Sequence, residues 1–443
     1  MAAPARLSPL RLLAFGGPAL PLAALTLPVF VFLPAHYATL GLSLGTIGWV
    51  LLLSRLWDGV TDPLVGWLSD RTGGRLGRRR PWVLAGTPLV CLAVWFLLVP
   101  SPGAGAAYLL GWSFALYLGW TMVIVPLTAW GAELSGDYDE RTRISGWLNG
   151  LAVLGTVVAM VLPVVAGTAD QGTSDQGGAL YVIALFTLAA LPLTIAFLLA
   201  FVPEPKFSAT APVGFADGAR IMRANAPFRR LVLAYVLNGL ANGLPAQLFL
   251  FFVQHVLGEA GMAGPLLVAY FISGIAAVPL WLWLSKRFGK HRVWSWAMLW
   301  ACAWFATVPL LEPGDGTLFL AVCLLTGAAL GADLVLPAAM QADVVDEDTV
   351  RTGTPRTGLY FALWGLATKL ALALAALGLP LAEAAGFSAG GPNDARALWA
   401  LTLLYSLVPI GFKLAAIALM RGYEITPERQ AENRRLIEAR ALS

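Results

Sequence analysis

Twelve apolar stretches, each long enough to cross a bilayer as a helix, follow one another along the chain between short polar connections. They cover roughly residues 11–37, 42–70, 81–101, 104–132, 144–168, 179–202, 228–257, 261–285, 292–312, 316–342, 357–386 and 394–420. About 20 apolar residues suffice to cross the hydrocarbon core. The pattern therefore predicts an all-α membrane protein of twelve transmembrane helices. The first stretch starts beyond Arg6 and Arg11 and continues past the length of a leader's apolar region, so it is read as a span rather than a cleaved signal.

The longest polar interval, about 203–227, carries Pro203, Pro205, Lys206, Pro212, Arg220 and Arg223. It predicts an N-terminal six-helix bundle over 1–202, a cytoplasmic linker over 203–227, a second six-helix bundle over 228–420 and a cytoplasmic tail over 421–443. The halves echo each other weakly. Trp67-Leu68-Ser69-Asp70-Arg71 after the second span recurs as Trp283-Leu284-Ser285-Lys286-Arg287 after the eighth. The mixed-charge run from Glu133 to Arg143 recurs from Asp343 to Arg356. Repeated six-helix halves predict a carrier that rocks about a site between them.

Composition agrees with this class: hydrophobic residues make up 58% of the chain and charged residues 12%, against roughly 25% charged in a soluble domain. The 29 Lys and Arg fall almost wholly at the termini and in the even-numbered connections. Arg55, Lys369 and Lys413 lie inside spans, and Arg396 lies in an odd-numbered connection. The positive-inside rule places both termini in the cytoplasm of a multi-pass, inner-membrane protein. The net charge of +4 arises from these loops and gives no reason to expect nucleic acid as a partner. Cys91, Cys302 and Cys323 lie within spans without paired spacing and read as packing residues.

The chemistry is concentrated in the second span. Asp58 and Asp62 stand one turn apart on one helical face, with Arg55 a turn before them. A carboxylate at membrane depth is costly and marks function by default. Two of them repel, and a proton or a hard cation such as Na⁺ relieves that repulsion. Asp58, Asp62 and Thr61 supply oxygen, and Arg55 supplies a counter-charge for the empty state. The other reading is a static buried ion network. Pro63 frees the carbonyl one turn before it, which either ligates the cation or only kinks the helix.

The residues Ser54 to Arg71, followed by Gly77-Arg78-Arg79-Arg80-Pro81-Trp82, resemble the second helix and following loop of the glycoside–pentoside–hexuronide:cation symporters. This family includes the melibiose carriers and is a branch of the major facilitator superfamily. Gln341-Ala342-Asp343-Val344-Val345-Asp346, with Arg356-Thr357-Gly358-Leu359-Tyr360, resembles their loop between helices ten and eleven. The resemblance implies the major facilitator fold and cation-coupled transport of a solute. It implies that Asp58 and Asp62 bind the cation, that Thr121 on the fourth span helps ligate it, and that Lys369 on the eleventh lies near the acids. Three charged positions of the melibiose carriers are replaced, at about Pro18, Ile124 and Asn149. Those charges hold the galactoside in that carrier.

Asp333 in the tenth span is a second intramembrane acid. It is expected either to bind a polar or cationic part of the solute or to pair with Lys369 or a backbone group. Asn238 and Asn242 share a face of the seventh span and either bond a solute or staple helices; Asn149 and Trp147 in the fifth are further solute candidates. Asp70, Arg71, Arg78, Arg79 and Arg80, with Glu133, Arg141, Asp343 and Asp346 in the later loops, form an expected cytoplasmic gate, whose basic residues also suit anionic lipid. His36, His255 and His291 have no partners at metal-ligand spacing. No phosphate-binding loop or nucleophile constellation is present, so neither an enzyme nor a cofactor is expected. The expected function is H⁺- or Na⁺-coupled symport of a small polar, sugar-like solute by a monomer among membrane lipids. Symport of a lysophospholipid or other amphiphile is the alternative. A non-transporting sensor on the same scaffold is a third reading.

Overall fold

The structure, a computed structural model, describes residues 6–135, 138–167, 176–204, 225–353 and 357–442. All regular elements among them are helical. The first six spans are α1 (Pro9–Thr39), α2 (Leu44–Arg71), α3 (Arg80–Leu98), α4 (Ala106–Glu133), α5 (Tyr138–Val165) and α6 (Gln176–Phe201). The next six are α7 (Ala226–His255), α8 (Ala263–Phe288), α9 (Lys290–Phe305), α10 (Gly316–Thr352), α11 (Leu359–Ala384) and α12 (Ala395–Met420). A further helix, α13 (Pro427–Leu442), ends the chain. Eleven spans among the described residues are apolar enough to cross a membrane on composition alone. The twelfth, α2, has 28 residues and carries Arg55, Asp58 and Asp62 along its length.

The helix ends follow local chemistry. Ser43, Asn225 and Asp394 cap α2, α7 and α12 by accepting the amides of Thr46, Phe228 and Ala397, supplying acceptors for otherwise unpaired N–H groups. Proline sets the internal breaks. Its missing N–H and its ring's clash with the carbonyl four residues back interrupt a helix. Accordingly α12 divides at Ser406, ahead of Pro409, and α11 divides between Ala375 and Gly378, ahead of Pro380. In α1 the Pro28–Phe32 turn is a π turn.

The chain packs into two compact units, Met1–Ala211 with Leu379–Ala384 and Ser388–Pro392, and Pro212–Gly378 with Ala385–Phe387 and Asn393–Ser443. Most of the expected linker, 205–224, lies outside the described residues. In the first unit α2 turns Ser54, Asp58, Thr61, Val65 and Ser69 inward and leaves Leu53, Leu56, Val60, Leu64 and Trp67 exposed. That is the reverse of a water-soluble helix and suits lipid outside. The second unit packs Phe228, Trp294, Met340, Val344 and Tyr360 into its core. There α8 and α10 approach so closely that a Cβ at Gly327 would collide with the Tyr270 carbonyl, the usual service of small residues between membrane helices.

Two segments expected to be loop and tail are helical. The Asp343 region continues α10, which runs for 37 residues and stops at Gly353 with φ +72°. The end of the chain forms α13 and packs against that extension.

Candidate functional site

In the first unit the acids of α2 meet the hydroxyl of α4. Thr121 Oγ1 lies 3.1 Å from Asp58 Oδ1 and 2.8 Å from Asp62 Oδ1. Thr121 and Asp58 are buried, at 0% and 5% exposure, and Asp62 is half-buried. A hydroxyl has one proton to donate, so it makes an ordinary hydrogen bond to only one carboxylate at a time. A carboxyl proton, or a cation shared among the three oxygens, would make the second oxygen–oxygen approach favourable. The donor set is all oxygen, which a hard cation prefers. Thr61 turns its hydroxyl to the Asp58 backbone carbonyl at 3.2 Å, so the structure places its side chain on its own helix rather than at the acids. Arg55 is seated over the face of Tyr117 on α4, 4.6 Å from the ring centroid, with Phe30 of α1 at 5.9 Å. The α2 helix continues through Pro63, which deprives the Gly59 carbonyl of its helical donor.

The expected gate residues of this unit join one another. Arg79, 3% exposed, bridges Asp70 and Glu133 at 2.7 Å each and donates to Ser69 Oγ at 2.9 Å. Arg78 reaches Glu133 at 2.9 Å. Arg80 donates to the Val202 carbonyl at 3.0 Å, and Arg71 stacks over Trp67 at 3.8 Å. Glu204, past the end of α6, accepts the backbone amides of Arg78 and Arg79. A carboxylate is favoured there, at the positive end of α3. Gly77, with φ +86°, gives Glu204 its access, since a Cβ would collide with that carboxylate.

In the second unit Asp333 of α10 is the centre of a closed polar network. Its Oδ1 accepts Trp294 Nε1 of α9 at 2.7 Å, and its Oδ2 accepts Asn242 Nδ2 of α7 at 2.8 Å. Lys413 of α12 stands 4.0 Å from Asp333 Oδ2 and donates to Asn238 and Asn242 at 2.8 Å each. Lys413 and Asn238 are 3% and 2% exposed. The expectations for Asp333 are solute contact, or pairing with Lys369 or a backbone group; in the structure its partners are Trp294, Asn242 and Lys413. Gln341 of α10 donates to the Tyr360 carbonyl at 3.2 Å, and Asn225 donates to the Tyr360 hydroxyl at 2.8 Å. These bonds tie α10 and the start of α7 to α11.

At the end of this unit that carries α13, Lys290 chelates Asp343 at 2.7 Å and Gln430 donates to the same carboxylate at 2.5 Å. Glu347 accepts Arg429 at 3.0 and 3.1 Å and Asn433 at 2.6 Å. The hydrogen bond to Glu347 raises the Arg429 guanidinium above its ordinary range. Asp343 is therefore held by α9 and α13 within its own unit. Asp346 and Lys369 are half-buried; Trp147 and Asn149 are exposed, Asn149 donating to the Ser145 carbonyl at 2.9 Å. The side chain of Arg141 lies outside the described ones.

Sequence reasoning missed the roles of Lys413, Glu204, Tyr117 and α13. For Lys413 a signal existed: a lysine at membrane depth needs an acid, and Asp333 is an isolated intramembrane acid of that half. Glu204 had none, because one carboxylate beyond a span does not reveal which helix end it caps.

The profile of the family described as MFS/sugar transport protein matches residues 14–427. The human sodium-dependent lysophosphatidylcholine symporter 1 is 27% identical, over 88% of this chain and 78% of its own. YagG of Escherichia coli K12, named as a candidate glycoside/cation symporter, is 25% identical over 93% of this chain and 91% of its own. The crystal structure of a point mutant of the nucleoside transporter NupG superposes with a TM-score of 0.67 at 11% identity, covering 94% of this chain and all of that one. At that identity the likeness concerns the fold.

Proposed function

The chain belongs to the MFS/sugar transport protein family, and from that premise we propose a secondary-active symporter that couples H⁺ or Na⁺ entry to a small polar solute, a glycoside or similar compound. The observation that carries the proposal is the placement of one hydroxyl, Thr121, between two buried-to-half-buried carboxylates. Three oxygens brought together from α2 and α4 form a receptor for a small cation. The cation binds at Asp58, Asp62 and Thr121. Arg55, beside them on α2, supplies positive charge when the cation leaves, and Lys369 is assigned as a further charge partner.

Trp147 and Asn149 of α5 are assigned to contact with the solute. The Asp333–Lys413 network is satisfied by side chains of the second unit itself, and we assign it to holding that unit together. Alternating access then requires that empty and doubly loaded carriers interconvert readily while the cation-only form does not. The cluster at Arg79 braces the first unit and the one at Lys290 braces the second, and we assign both to the cytoplasmic side of the inner membrane, together with both termini.

A second reading keeps the coupling and changes the cargo. Several relatives are named as lysophosphatidylcholine symporters, and Pro18, Ile124 and Asn149 stand where the melibiose carriers use charges, which favours an amphiphile. Uptake into proteoliposomes under imposed Na⁺ or proton gradients tests both, with glycosides in one arm and lysophospholipids in the other. Concentrative uptake of neither class under either gradient would overturn the symport reading.

A further inference from the structure

Arg55 precedes Asp58 by one turn on the same face of α2, and a guanidinium so placed competes with a mobile cation for the same carboxylates. What decides the competition is where the guanidinium is kept. It is kept on a ring. Its Cζ stands 4.6 Å from the ring centroid of Tyr117, which lies one turn before Thr121 on α4, and 5.9 Å from that of Phe30 on α1.

Helices α1, α2 and α4 of the first unit build this clasp. Tyr117 is 5% exposed, so its ring has a fixed seat. Phe114, a turn earlier on α4, stacks on Trp57 of α2 with centroids 5.1 Å apart and planes at 9°, which pins the two helices beside the clasp. Phe30 sits in the π turn Pro28–Phe32, where the Leu33 amide bonds back to the Pro28 carbonyl. A π turn holds one residue more than the α turn it replaces, which re-aims the side chains it carries, and such turns recur at functional sites.

We infer that Tyr117, assisted by Phe30, is a positioning residue for cation coupling: its ring parks the Arg55 guanidinium off the carboxylates while the cation is bound. The inference rests on the reading of Asp58, Asp62 and Thr121 as the cation site. A guanidinium stacks readily on an aromatic face, and the attraction strengthens where water is excluded. It offsets part of the pull of two carboxylates on the same charge. When the cation leaves, the acids pull harder and Arg55 turns to them; when a cation binds, the ring receives the guanidinium back. The ring thus sets how tightly the cation is held without touching it.

The test uses the full chain in detergent, and cation binding is read as the difference from the Asp58→Asn/Asp62→Asn protein. Na⁺ is titrated calorimetrically at constant ionic strength, and proton uptake is measured potentiometrically without Na⁺. Tyr117→Leu removes the aromatic face and should weaken binding of the cation roughly three- to thirtyfold, the span of a desolvated cation–π contact. Tyr117→Phe keeps the face and should bind as the parent does. Phe30→Leu, at the more distant ring, should act in the same direction and less. Arg55→Gln removes the competitor; it should bind at least as tightly as the parent and abolish the effect of Tyr117→Leu. Melting temperatures establish which variants are folded, and if Tyr117→Leu is not, Phe30→Leu with and without Arg55→Gln makes the same comparison. Affinity unchanged by loss of the ring, or weakening that persists undiminished with Arg55→Gln, overturns the inference and leaves the coupling site standing. A parent indistinguishable from the protein lacking both acids refutes the coupling site itself, and the clasp with it.

Discussion

Replacing Lys413 by Met separates a structural network from a solute site. The ammonium is 3% exposed and serves Asn238, Asn242 and Asp333 within 2.8, 2.8 and 4.0 Å. Removing it leaves the largely buried carboxylate of Asp333, 12% exposed, with the neutral donors Trp294 and Asn242. Removing one partner of a buried pair costs about 3–5 kcal/mol. For a cooperative unit of some 200 residues, each kcal/mol moves the midpoint by about 2–4 °C, so Lys413→Met should melt roughly 6–20 °C below the parent. Asp333→Asn should also destabilise, because it strands the lysine. The double variant should recover part of the loss, giving a coupling of about 0.5–3 kcal/mol. Tryptophan fluorescence during thermal unfolding in detergent reads all four corners, with solute and cation affinities measured on the folded variants. A Lys413→Met protein that melts with the parent, or whose main defect is weakened solute binding at unchanged stability, would refute the staple and return Asp333 to the solute site.

Asp62→Asn should abolish gradient-driven accumulation while leaving the fold intact; concentrative uptake by that variant in proteoliposomes would show that the acid is not a coupling group. Thr121→Val should weaken the apparent cation affinity about tenfold, the loss of one hydrogen bond to a charged group, and Thr121→Ser should restore most of it; equal uptake half-saturation in all three proteins counts against a ligating hydroxyl. Gly77→Ala should lose about 1–2 kcal/mol from the left-handed backbone alone, and more from displacing Glu204, which a lowered melting temperature would record; an unchanged midpoint would exclude strain at that turn.

Element positions are legible because lipid imposes one simple pattern. A chain surrounded by hydrocarbon must be apolar outside whatever it holds inside, so the spans can be placed within a few residues. The same uniformity hides which face of a helix looks inward, and only the polar exceptions reveal it. On α2 they are dense enough to bring Asp58 and Asp62 to notice, and the structure gathers them around Thr121. On α7, α10 and α12 the exceptions are sparse, and pairing across helices distant in sequence cannot be read from spacing. Thr61 illustrates a finer limit. Its position beside the acids suggests a ligand, but a hydroxyl on a helix readily bonds its own backbone, and here it does. The acidic extension of α10 reads as loop because charge ends a membrane span without ending a helix.

That extension has a mechanical consequence. At about 1.5 Å per residue, a helix as long as α10 measures roughly 55 Å, some 25 Å more than the oily slab needs. A rigid rod of that length would act as a lever. A rotation of only ~10° about the far tip sweeps the opposite tip through roughly 10 Å. Because Asp343 and Glu347 on that arm are clasped by Gln430, Arg429 and Asn433, α13 would follow any such tilt, and a fluorophore placed on it would register tilts too small to see at the pivot.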